Sequence, residues 1–168
     1  MADPGPLLDA GYFPKLVAYR PEYPHTPAVS HVLSVSHHIS LAPDGWIETW
    51  RHNELGFFNR LADARAIVPP GDAGRYRLFA YRILPQVFVK GEMGSWERPA
   101  DVRPEPVPAD FAVLGFDAVS RFAPDVLGFE CSPLSCNGLA SETTTTDGCL
   151  YPTLEAAIAG ARQFAREQ

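Results

Sequence analysis

The stretch His31-Val-Leu-Ser-Val-Ser-His-His-Ile-Ser-Leu-Ala-Pro-Asp-Gly-Trp-Ile-Glu-Thr-Trp-Arg51 decides the reading of the fold. Leu33, Val35, His37, Ile39 and Leu41 alternate with Ser34, Ser36, His38 and Ser40, the two-residue period of a strand with one apolar face. Pro43-Asp44-Gly45 then supplies turn chemistry, with Gly45 free to adopt the left-handed conformation. Residues Trp46 to Arg51 alternate again, so 32–51 is expected as a β-hairpin. A three-residue loop sets Ala42 opposite Trp46, Ser40 opposite Glu48, His38 opposite Trp50 and Ser36 opposite His52. Ile39, Leu41 and Ile47 then share a core face. Trp46, Trp50, His38, His52 and Glu48 gather on the other.

Outward from the hairpin, the signals are weaker but consistent. Pro4, Pro6, Pro14, Pro21, Pro24 and Pro27 make residues 1–30 an extended Pro-rich arm, interrupted by a short strand at Lys15–Tyr19, with a single domain over 31–168. Leu55, Phe58, Leu61 and Ala62 at helical spacing predict a helix within Glu54–Val68, weakened by Gly56 and stopped by Pro69-Pro70. Arg75–Lys90 is the longest strand signal, with Pro85 demanding an edge or a bulge. Pro99, Pro104, Pro106 and Pro108 mark a polyproline-like connector, and Leu114, Phe116 and Ala118 a further strand. Thr153 caps a final helix whose apolar stripe is Leu154, Ile158, Ala161 and Phe164. Strands dominating, with a helix at the end, predict an α+β fold. Its mostly antiparallel sheet carries the C-terminal helix on one face, and a second short helix follows the first hairpin.

Composition narrows the class without naming a function. The 168 residues are 46% apolar and 20% charged, which describes an ordinary globular domain. A net charge of −6 argues against a nucleic-acid backbone as partner. Residues 61–103 carry seven basic and five acidic side chains, whereas 104–168 carry three and nine, a charge shift that suits a solvated acidic surface. No apolar run approaches membrane-spanning length, and the first residues lack the basic and apolar regions of a secretory signal, so the expected compartment is the cytoplasm. Twelve Arg against two Lys suggest a GC-rich bacterial genome.

The candidates for chemistry are few. Cys131, Cys136 and Cys149 form an odd set that suits a reducing compartment rather than a disulfide framework. Ser132-Pro133 and Gly138 bracket about one helical turn, which puts Cys131 at its positive end and Cys136 at its negative end. Either cysteine is a nucleophile candidate with His38 as base, though each reads more readily as a small buried apolar residue. The spacing C-x4-C-x12-C does not supply four zinc ligands, so neither a metal nor a cofactor is expected. Phosphate-loop, dinucleotide, nucleophile-elbow and zinc-protease motifs do not occur. What remains is a binding or accessory module that recognises a polar ligand or protein partner through His38, Trp46, Glu48, Trp50 and His52. The alternative is a cysteine-dependent hydrolase or transferase.

Overall fold

Strand β1, Leu8–Leu16, is bonded along both sides, and the main core assembles around it. In the computed structural model the described residues are 6–16, 42–84, 86–89, 92–95, 97–118, 146 and 150–167. On one side β1 pairs antiparallel with β2, Tyr76–Ile83, from Leu8 opposite Ile83 to Leu16 opposite Tyr76, with a bulge between Asp9 and Gly11. On the other side Phe58 exchanges two backbone bonds with Tyr12, at 2.8 and 2.9 Å. Every residue from Ala10 to Leu16 is buried. This stretch lies inside the expected Pro-rich arm, and its strand starts well before Lys15. It is extended, but it is core rather than arm. A strand buried on both faces shows no alternation, and Pro14 and Lys15 interrupt its apolar run, so periodicity could not reveal it.

Gly11 lets two segments of the core approach closely. Its φ of 138° lies outside the range favoured by residues with a side chain, and an added Cβ would stand 2.7 Å from both Phe57 Cβ and Phe58 O. The bulge and this glycine let Phe57 and Phe58 lie against β1. Phe13 meets Trp46 edge-on at 5.0 Å, and Phe57 stacks on Tyr81 at 4.6 Å.

The remaining elements form an antiparallel α+β arrangement. The turn at Gly45 has φ 74°, the left-handed conformation expected there. Beyond it the chain does not return as a strand: Ile47–Thr49 is a 3-10 turn. Trp46 is anchored in the core against Phe13, and the Thr49 hydroxyl donates to Trp46 O at 2.8 Å, which curls the chain instead of extending it. Helix α1, Leu61–Ala66, is the short helix after the hairpin turn. It begins later than the apolar spacing suggests, because Phe57 and Phe58 are committed to the core beside β1. Pro69 and Pro70 end it and open a second 3-10 turn, Pro70–Arg75.

β2 stops before Pro85, and the long strand signal continues as β3, Gln86–Val89, paired antiparallel with β4, Glu92–Ser95. Helix α2, Leu154–Glu167, packs against β3. Its first turn is capped as expected, with Ala156 N donating to Thr153 Oγ1 at 3.2 Å. Ala157 and Phe164 are its buried residues, while Leu154, Ile158 and Ala161 are half-buried. Ala157 packs with Ala118 and Tyr151 in a smaller second cluster, and Phe116 bridges to Tyr151.

One side chain ties these parts together. Asn53 is buried, and all its polar atoms are used. Its Oδ1 accepts from Leu55 N and Phe57 N, at 3.0 and 3.2 Å. Its Nδ2 donates to Ala10 O at 2.9 Å and to Asn59 Oδ1 at 3.0 Å. Asn59 in turn donates to Asp101 O at 2.8 Å and accepts from Arg103 N at 3.1 Å. The proline-marked connector is thereby held across the core. Tyr12 Oη lies 2.9 Å from both Glu105 O and Pro106 O, and the Glu105 carboxylate accepts from Leu61 N at 2.6 Å. That last bond caps α1, whose own N-cap residue, Arg60, contributes no side-chain bond.

Asn53→Asp replaces two buried donors with a carboxylate facing two acceptor oxygens, and should cost about 3 kcal/mol or more of unfolding free energy. Gly11→Ala combines backbone strain with overpacking and should cost about as much. Urea titration measures both. A loss below about 1 kcal/mol in either variant would contradict this account.

Candidate functional site

Among the described residues, the most accessible aromatic surface lies on the turn that links Trp46 to Asn53. Trp46 is 4% exposed and Trp50 is 79% exposed, so two tryptophans four residues apart have opposite environments. Backbone bonds hold the turn: Thr49 N to Trp46 O and Trp50 N to Ile47 O, both 3.3 Å. Trp50 itself has φ 53° and ψ 22°, making it the one non-glycine residue with positive φ among the described residues. A bulky residue in this conformation costs on the order of 1 kcal/mol or more, which the surrounding structure must offset.

His52 sits between the two indoles, 5.3 Å from the Trp46 ring and 6.4 Å from the Trp50 ring. Its Nε2 lies 3.3 Å from Ile47 O and its Nδ1 3.4 Å from Asn53 O. Beside the turn runs an open groove of about 280 Å³ between Asp44, Trp46, Thr49 and Arg51 on one side and Ala66 and Ile67 of the α1 end on the other. Arg51 also reaches Asp63 at 3.8 Å, a loose surface pair.

Three of the expected site residues, Trp46, Trp50 and His52, are therefore brought together, by a curled turn rather than by a strand. Trp46 forms the floor and is not a free platform. Glu48 is exposed on the same turn. His38, Cys131, Cys136 and Cys149 lie outside the described residues, as do Ser36 and Ser40. Among the described residues, no group of three or more His, Cys, Asp or Glu side chains could hold a metal ion, and no helix is long and apolar enough to cross a membrane.

A second constellation was not visible in the sequence. Lys15 is fully buried, with Nζ 5.4 Å from the Tyr81 ring centroid. Burial lowers its pKa to about 7, and the negative charge of Asp117 opposes that shift. Tyr81 Oη is buried and has no hydrogen-bond partner among the described residues, and burial, then Asp117, push the phenol well above its ordinary range. A lysine inside an apolar strand was the only available signal, and taken alone it reads as the end of the strand.

No protein-family model, curated protein or solved structure matches the chain.

The lysine makes stability depend on pH in a definite direction. Below pH 7 the amine is charged in both the folded and unfolded states, so the full burial cost is present. Above pH 7 the folded state releases its proton while the unfolded chain keeps one until about 10.5, so stability rises with pH. The slope approaches about 1.4 kcal/mol per pH unit. Lys15→Met should abolish that rise between about pH 7 and 9.5, a window below the ordinary tyrosine pKa. Equal slopes in variant and wild type, from denaturant titrations, would show that Lys15 is not buried as described.

Proposed function

We propose that the chain is a cytosolic binding or accessory module that engages a protein partner through the Trp50 turn. The observation that carries this reading is Trp50: a large aromatic side chain held out into solvent by a costly left-handed backbone. Tryptophan is the side chain most often found at binding hot spots, and a fixed backbone lowers the entropy lost when it docks. The groove beside it is open and mixed in character, with Asp44, Thr49 and Arg51 around the Trp46 and Ile67 floor. A small ligand needs an enclosure that buries most of its surface, and an open groove beside a projecting indole suits a polypeptide better. An odd cysteine count suits a reducing cytosol. The alternative cysteine chemistry rests on Cys131, Cys136 and His38, outside the described residues.

Panning a random-peptide phage library against the immobilised protein tests the reading. Peptides selected on the wild type should bind Trp50→Ala at least about tenfold more weakly, a hot-spot effect. The thermal midpoint should stay within about 2–4 °C of wild type, since an exposed side chain contributes little to the fold. No enriched sequence family, or peptides that bind the variant equally well, would overturn it.

A further inference from the structure

We infer that His52 is a protonation-dependent clasp on the Trp50 turn, tightening it in acid and loosening it in base. The inference concerns regulation of the surface proposed above and rests on that reading for its biological consequence. Its geometric basis is independent of any partner. Both ring nitrogens of His52 face carbonyl oxygens: Nε2 faces Ile47 O at 3.3 Å and Nδ1 faces Asn53 O at 3.4 Å. A carbonyl can only accept. A neutral imidazole has one N–H and one lone pair, so it donates to one carbonyl and sets its lone pair against the other. Only the imidazolium donates to both. Its charge also lies 5.3 Å from the Trp46 ring centroid, within the distance at which an aromatic ring attracts a cation.

The two carbonyls are not interchangeable ornaments of the turn. Ile47 O also accepts from Trp50 N at 3.3 Å, so the ring braces the carbonyl that fixes the Trp50 backbone. Asn53 O also accepts from Gly56 N at 2.8 Å, and the Asn53 side chain is bonded to β1 and to Asn59. Protonated His52 thus joins a long turn bond to a saturated, buried network. Loss of one proton to solvent breaks one of its two donations and changes nothing else covalently. The charged groups around it are Glu48 on the turn, Arg51 and Glu54 beside it in the chain, Asp44 before the turn, and Asp63 of α1, which pairs with Arg51. Among the described residues, none of these carboxylates forms an ion pair with the ring. The clasp therefore depends on the two carbonyls that face the ring and not on a neighbouring carboxylate.

NMR relaxation of the Thr49 and Trp50 backbone amides, measured on the full chain at pH ~5.5 and ~8, reads the clasp without a partner. The order parameters should fall at the higher pH, following the His52 ring resonance through its titration. In His52→Gln, which has no proton to gain in this range, they should not change with pH. Peptides selected as above should bind the wild type at least about threefold more tightly in acid, and the variant equally at both pH values. Order parameters that do not change with pH in the wild type, or a change that persists in His52→Gln, would overturn the clasp. The wild-type titration decides the question even where the variant folds poorly. A pH-dependent turn in a protein whose peptides ignore Trp50 would keep the clasp and remove the binding reading. Trp50-dependent binding with a pH-independent turn would do the reverse.

Discussion

The hydrogen bonds of the Asn53 side chain are the constraint on which the rest depends. A carboxamide has two donors and can accept twice at its oxygen, and here all four bonds are made, to three parts of the chain: β1, the 55–57 loop and Asn59. Buried amide bonds of this kind contribute modestly one by one. Their weight comes from what would be left unpaired, because removing the side chain strands several buried backbone groups at once. Through Asn59 the same network reaches Asp101 and Arg103, and so fixes a connector that makes no regular secondary structure. The connector then supplies the cap for α1 from Glu105. A short helix without a local cap is thus stabilised from more than forty residues away in the chain.

Much of the architecture was legible in the sequence, and the exceptions share one cause. The α+β class, the capped terminal helix, the short helix ahead of Pro69-Pro70 and strand structure over 75–90 disturbed at Pro85 follow from periodicity and from proline and capping chemistry, all local properties. What escaped is what depends on distant partners. β1 has no alternation because both its faces are covered, and the curled turn after Gly45 depends on Trp46 finding Phe13, more than thirty residues earlier. Sequence alternation at Trp46–Arg51 was real, but a tertiary contact overrode it. The site was legible in part for the same reason: Trp46, Trp50 and His52 do converge, whereas their geometry follows from the anchor and not from a strand register.

Lys15 shows how the core tolerates an expensive residue. Within a stretch buried from Ala10 to Leu16, an amine keeps its charge only at a high desolvation cost, and losing the proton relieves it. The lowered pKa reports that the second course is nearly available at neutral pH, while Tyr81 offers the face of its ring. Asp117 sits on the segment that leads to Ala118 and the second cluster. Electrostatics therefore connects β1 and β2 to the part of the chain that carries α2. Apolar packing and a charge-sensitive group act within the same core.

Trp46 and Trp50 set a core residue and an exposed one within five residues of each other. Trp46 is consumed by the core: it packs on Phe13 and His52, and its carbonyl accepts from both the amide and the hydroxyl of Thr49. Those bonds leave the chain one way to proceed, through a left-handed residue that points outward. A glycine or asparagine would fit that conformation with less strain. The position carries the bulkiest side chain of all, and it does so beside a histidine whose two nitrogens both meet acceptors. Folding alone gives no reason for an exposed indole at a strained position. Under the proposed binding reading it has one, because the surface that the indole would cover belongs to another molecule.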